Sequence, residues 1–187
     1  PAMIGILIPV HNEEALLGDC LEAARVAARH PGLLGEAVTI LVVLDSCTDG
    51  SAAIARSFPV QCLEAQARNV GHVRGVGARH LLNLGARWIS CTDADSRVAP
   101  DWLVAQLALG VDAVCGTVTA DAWSEGFDPA AQIRGHEGDE ARDGHRHIHG
   151  ADLGVSASAY VRAGGFEPLA CHEDVQLVRN LELCGAS

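Results

Sequence analysis

Asp93 and Asp95 stand two residues apart in ISCTDADSRVAPDWL, residues 89–103. Apolar residues precede them and Pro100 follows, so the pair lies where a buried strand ends and a helix is about to start. Alternation along a strand sends both side chains to one face. Two carboxylates that close repel each other and raise a pKa unless a cation sits between them. A hard ion such as Mg²⁺ or Mn²⁺ suits the pair, because it takes one or two carboxylates and completes its shell with water and substrate phosphates. The plainer alternative is that Asp95 or Ser96 only caps a turn, and a D-x-D by itself does not decide between the two.

Two further segments place polar groups after an apolar run. His11, Asn12 and Glu13 follow one in PVHNEE, and Asp45 and Asp49 follow another in VVLDSCTDGS. Each could be turn chemistry alone. Ligands of open α/β sheets bind beyond the carboxyl ends of the strands. Three strand ends delivering acids to one edge exceed what capping requires.

The elements that must position these residues are legible. Near-continuous apolar runs at 4–10 (IGILIPV), 38–44, 60–63, 88–92 and 111–118 predict buried strands. Between them, the pattern predicts a helix capped by Asn12 with an apolar stripe of Leu16, Leu17, Cys20, Leu21 and Ala24, then helices at 51–57, 71–84 and 100–109. Residues 121–150 are polar and weakly periodic, which predicts a loop with one helix, a mobile lid. Helices near 158–163 and from about Glu173 complete the chain. This alternation predicts an α/β/α sandwich around a mostly parallel sheet.

Composition narrows the chemistry. The 187 residues fit one domain, and 49% hydrophobic residues suffice for a core. The net charge of −11 disfavours nucleic acid and anionic membranes as partners. All 13 basic residues are arginine, which excludes Schiff-base and P-loop lysine chemistry. No apolar run is long enough to span a membrane, and PAMIGILIPV carries no basic leader, so no signal peptide is expected. Seven cysteines without a C-x-x-C predict reduced core thiols and a cytoplasmic protein. His145, His147 and His149 in HRHIHG would share a face on a strand and suit a transition metal, or they are loop histidines near an anionic substrate.

Taken in order, IPVHNEE, VVLDSCTDGS, ARHLLNLGA, TDADS and GADLGVSASAYVRAGGFEPLACHEDVQL resemble glycosyltransferase family 2 over residues 4–184. The resemblance implies the GT-A fold, a Rossmann-like α/β/α sandwich, and an inverting, hexosyltransferase-like enzyme that uses a nucleotide-diphosphate sugar. Residues 1–118 would bind the nucleotide sugar, and 119–187 would hold the acceptor and the base. It implies that Pro9, His11, Glu13 and Asp45 line the nucleotide pocket, that Arg79 neutralises diphosphate, and that Asp93 and Asp95 form the Mn²⁺- or Mg²⁺-binding pair, Asp95 touching the ion and Asp93 contacting ribose or metal-bound water. Asp174 would be the general base beside Glu173, acting on an unknown acceptor hydroxyl. Many members continue past the point matching Ser187, so the acceptor side is expected to be incomplete. Glu173 and Asp174 could instead be plain helix N-terminal acids.

Three rivals compete with this reading. A dinucleotide-binding domain lacks its glycine fingerprint, since HNEE stands in the first turn. A D-x-D phosphatase would use Asp93 as nucleophile and normally needs a lysine. A non-catalytic nucleotide-sugar or metal-binding module differs from the enzyme in having no use for a base at Asp174.

Overall fold

The computed structural model describes residues 2–117 and 150–187. Among them six strands form one sheet: β1 (Met3–Val10), β2 (Val38–Asp45), β3 (Gln61–Ala65), β4 (Ala86–Cys91), β5 (Ala113–Cys115) and β6 (Leu153–Ser156). Their order is β3-β2-β1-β4-β6-β5. β1 runs parallel to both β2 and β4, and β2 to β3. β6 is antiparallel to β4 and to β5. Strand order thus reverses direction between β1 and β4, the switch point where such sheets open a crevice at their carboxyl ends.

Period-two alternation explains why β1 reads as one apolar run. Ile4, Ile6 and Ile8 enter one core, and Met3 and Leu7 enter the other. The first core is covered by α1 (Leu17–Ala27), α2 (Ser51–Ser57) and α4 (Trp102–Ala108). The second is covered by α3 (Val70–Asn83), α5 (Ala157–Arg162) and α6 (Glu173–Leu183). Both faces are therefore sealed, as a parallel sheet requires.

Several boundaries differ from the sequence expectation, for local reasons. Asn12 caps no helix. Its backbone is left-handed (φ 56°) and its Oδ1 accepts the Thr48 amide at 2.8 Å, so it ties the end of β1 to the loop after β2. α1 starts only at Leu17, whose amide donates to the Glu13 carbonyl at 2.9 Å, and Leu16 is left exposed. β3 runs to Ala65 because its ladder follows β2 to Asp45. β5 covers only Ala113–Cys115 of the strand expected at 111–118. The loop, helix and lid expected at 121–150, with His145, His147 and His149, lie outside the described residues apart from Gly150.

A buried polar network fixes α4 to the sheet behind Asp93. Trp88 Nε1 and Ser90 Oγ both donate to Gln106 Oε1, at 3.2 and 2.7 Å. Gln106 Nε2 and Trp102 Nε1 then donate to Asp152 Oδ1 at 3.0 and 2.7 Å. Trp88, Ser90, Gln106 and Trp102 each find a partner within this network, so it adds rigidity without a stranded dipole of its own.

Two glycines of α3 permit close approaches, one to the sheet and one to the segment that enters α6. A methyl on Gly77 would come within 2.3 Å of Leu7 Cδ1. One on Gly71 would come within 2.2 Å of the Glu167 carbonyl and 2.7 Å of the Leu169 amide, both backbone atoms. The Gly71 amide donates to the Leu169 carbonyl at 3.0 Å, so this approach docks the segment that enters α6. Gly71→Ala is expected to cost about 1–3 kcal/mol by overpacking. Urea unfolding checks this, and an unchanged midpoint would show that the 167–169 backbone yields freely.

Candidate active site

The ends of β1, β2 and β4 bring Pro9, His11, Glu13, Asp45, Asp93 and Asp95 to one cleft of about 410 Å³. Pairing explains the convergence. Val10 is in register with Leu44, and Leu7 with Cys91, so the segments that follow all emerge at the same edge. Four non-glycine residues around this edge take a left-handed backbone: Asn12 (φ 56°), Ser46 (54°), Arg68 (46°) and His172 (62°). Such conformations are costly and persist where surrounding contacts enforce them.

Asp45 shows what enforces one of them. Its carboxylate is 4% exposed and accepts the Ala67 amide at 2.7 Å, the Asn69 amide at 3.2 Å and the Ser46 hydroxyl at 3.1 Å. Burial works against the ionised form, but the amides of Ala67, Arg68 and Asn69 and the Ser46 hydroxyl outweigh it and lower the pKa. The carboxylate therefore shapes the 66–69 loop from beneath, and base or ribose contacts can use only its remaining acceptor capacity. His11 Nδ1 donates to the Asp45 carbonyl at 2.6 Å, which leaves Nε2 as the free edge of an exposed ring.

The resemblance assigned the diphosphate cation to Arg79. That side chain is exposed on α3 and does not line the cleft; its charge is felt instead by Tyr160. The arginine that lines the cleft is Arg68, on the loop Asp45 shapes. A second arginine lies beneath. Arg74 is buried, donating Nη2 to Asp93 Oδ1 at 2.5 Å and Nη1 to Glu173 Oε1 at 2.6 Å. Its guanidinium also lies 5.9 Å from the centroid of the Phe166 ring. A signal for Arg74 was present in the sequence. Arg74, Gly77, Ala78 and Leu81 follow the spacing of a buried stripe, and an arginine on such a stripe needs acidic partners.

The acids outnumber this cation. Glu13 is raised by burial and by the charges of Asp95, Asp49 and Asp93, with His11 opposing. Asp93 is raised by burial against the pull of Arg74, with Asp95 and Asp174 adding to the rise. Glu173 is raised by burial, again against Arg74, with Asp174 and Asp93 contributing. Asp95 is exposed on the cleft wall. Asp174 does not line the cleft, but it sits half-buried in the first turn of α6, where its charge reaches Asp93. Glu173, expected beside it as a catalytic acid, is turned inward onto Arg74 with a side chain only 5% exposed.

Glu13, Asp93 and Asp95 offer hard oxygen donors under mutual repulsion, which suits a divalent ion. Among the described residues no group of three or more acidic, histidine or cysteine side chains forms a metal cage. The phosphatase alternative asks for Asp93 as a nucleophile, yet that carboxylate is engaged by Arg74.

The family model described as Glycosyl transferase family 2 matches residues 5–162. The chain belongs to glycosyltransferase family 2. No curated protein sequence matches it. Among solved structures, this family-2 chain is similar to S. aureus TarS, with TM-score 0.69 and 12% identity over 97% of this chain and 34% of TarS. TarS 1–349 in complex with UDP-GlcNAc gives 0.66 and 14%, over 97% of this chain and 54% of that one. The glucosyl-3-phosphoglycerate synthase of Mycobacterium tuberculosis, with Mn²⁺, UDP and phosphoglyceric acid, gives 0.64 and 16%, over 98% and 65%. The likeness is one of fold, the GT-A fold expected from the sequence motifs. The chain spans from about a third to about two thirds of the length of these proteins. Among the described residues no helix is long and apolar enough to cross a membrane.

Proposed function

We propose that this protein is an inverting, metal-assisted glycosyltransferase that moves a hexosyl group from a nucleotide-diphosphate donor to an acceptor hydroxyl. The observation that carries this reading is the convergence of Glu13, Asp93 and Asp95 on one cleft, with Arg74 linking Asp93 to the helix that bears Asp174. The UDP-GlcNAc complex of TarS and the Mn²⁺–UDP complex of the mycobacterial synthase support the donor class. In this reading the nucleotide lies against Pro9, His11 and the loop shaped by Asp45, in the half formed by residues 1–118. Arg68 faces the diphosphate. Asp93 and Asp95 would hold Mn²⁺ or Mg²⁺. When bound, the ion supplies neutralisation of the diphosphate and of the charge developing on the leaving nucleotide.

Asp174 takes the proton of the acceptor hydroxyl as that oxygen attacks the anomeric carbon from the face opposite the diphosphate. The new glycosidic bond forms as the bond to the phosphate oxygen breaks. The nucleoside diphosphate leaves with the electron pair, the proton rests on Asp174, and the centre is inverted. The seven free thiols support a reducing, cytoplasmic setting. Only Cys20 and Cys91 are fully buried, and burial pushes both up to about 12, so neither supplies a thiolate.

Calorimetry with UDP and GDP, with and without Mn²⁺ or Mg²⁺, tests the proposal. One nucleotide is expected to bind in a cation-dependent manner, and Asp95→Ala to weaken that binding about tenfold or more. Cation-independent binding of equal strength in both proteins would remove the metal from the mechanism.

A further inference from the structure

We propose that Arg74 and Glu173 are positioning residues that together fix the first turn of α6 and so hold Asp174 in place relative to Asp93. This rests on the function proposed above. The entry to α6 lacks the usual device for fixing a helix start. His172 occupies the N-cap position with a left-handed backbone (φ 62°) and its side chain caps no amide; within the turn Asp174 Oδ1 accepts the Val175 amide at 2.8 Å. Cys171 and His172 are exposed. The body of the helix is anchored further on, by Leu177 and Leu181 in the core. What ties the first turn to α3 is the buried carboxylate of Glu173 on Arg74 Nη1.

Arg74 is well placed for this. α3 is pressed onto the sheet at Gly77, and it grips the incoming segment at two more points. The Gly71 amide donates to Leu169 O at 3.0 Å, and Asn69 Nδ2 donates to Pro168 O at 3.0 Å. The second arm of the guanidinium holds Asp93 at the end of β4. One planar cation therefore sets the spacing between the donor-side carboxylate and the start of α6. Glu173 is spent on that contact. The next residue is turned by about 100° round the helix axis, so Asp174 takes a different direction from the buried Glu173 and is half-buried.

The test combines Glu173→Ala and Glu173→Gln. Three quantities are read in each: amide exchange across residues 173–177, UDP affinity with Mn²⁺, and kcat and KM for UDP release from UDP-GlcNAc. In the alanine variant, exchange is expected to rise about tenfold or more. Its kcat is expected to fall about 100-fold, with KM and UDP affinity within about threefold of wild type. Glutamine keeps an acceptor for Arg74, so it is expected to restore most of the protection and, in step, most of the rate. Two results overturn the proposal: a rate lost in the glutamine variant with wild-type exchange, which would mean the carboxylate itself does the chemistry, or wild-type exchange in the alanine variant. If alanine prevents folding, the glutamine variant decides alone, because positioning requires exchange and rate to move together. If the wild-type protein binds no nucleotide, the functional reading fails, and the exchange measurement still decides whether Glu173 holds the helix.

Discussion

Arg74→Leu is expected to lower the stability of the fold by about 3–5 kcal/mol at neutral pH, as when one partner of a buried pair is removed. The guanidinium side chain is 3% exposed, and the Glu173 side chain it serves is 5% exposed. Leucine fills part of the volume but strands the carboxylate. Asp93, at 40% exposure, can turn to water and adds little to the loss. The direction with pH follows from Glu173. Burial already holds its folded pKa above the unfolded value, and Arg74 is what opposes that rise. Without Arg74 the folded pKa climbs further. A carboxyl raised in this way gives its full stabilisation below the unfolded pKa and loses it as pH rises through the folded one. The deficit of the variant is therefore expected to widen between about pH 5 and about pH 8. Urea midpoints at both pH values, at constant m, measure this. The double variant Arg74→Leu/Glu173→Gln is expected to recover part of the loss, since no charge is then left unpaired. A deficit that is small and flat with pH would mean that water reaches Glu173 once Arg74 is gone.

The same triad shows where reading from the sequence stops. Strands were legible because a sheet sealed on both faces needs apolar residues at every position, and the runs at β1, β2 and β4 supply them. The convergence of Glu13, Asp45, Asp93 and Asp95 was legible because parallel strands all present their carboxyl ends to one edge. The partners of Arg74 were not, since they lie 19 and 99 positions away and only the packing of α3 and α6 brings them together. Arg79 looked suitable by family likeness, yet it follows Ala78, which faces the core, and so turns outward. Asn12 had the residue type of a helix cap, but its side chain found the Thr48 amide across the sheet edge instead. A cap and a cross-loop tie use the same acceptor oxygen, and residue type alone does not separate them.

Asp174→Asn is expected to reduce kcat by about 10²–10⁴-fold, the usual contribution of a positioned general base. Asparagine keeps the shape of the side chain and one acceptor oxygen, and loses the charge and the ability to take a proton. Donor affinity is expected to hold, because Asp174 does not line the cleft formed by Pro9, Glu13, Asp93 and Asp95. Stability is expected to change by no more than about 0.3–1 kcal/mol, the worth of one acid near a helix N-terminus. The variant thus separates chemistry from folding, where Arg74→Leu combines them, and from binding, which Asp95→Ala removes. Measuring kcat and KM for UDP release alongside calorimetry with UDP and Mn²⁺ tests all three expectations on one preparation. A non-catalytic nucleotide-sugar module gives a different signature: donor binding in both proteins and turnover in neither. Wild-type turnover in the asparagine variant would move the base elsewhere. The buried Glu173 is a poor candidate for it, because its carboxylate is already committed to Arg74 and lies away from solvent. A base must meet the acceptor oxygen directly or through one water, and of the two acids that open α6 only Asp174 has a side chain that is more than marginally exposed.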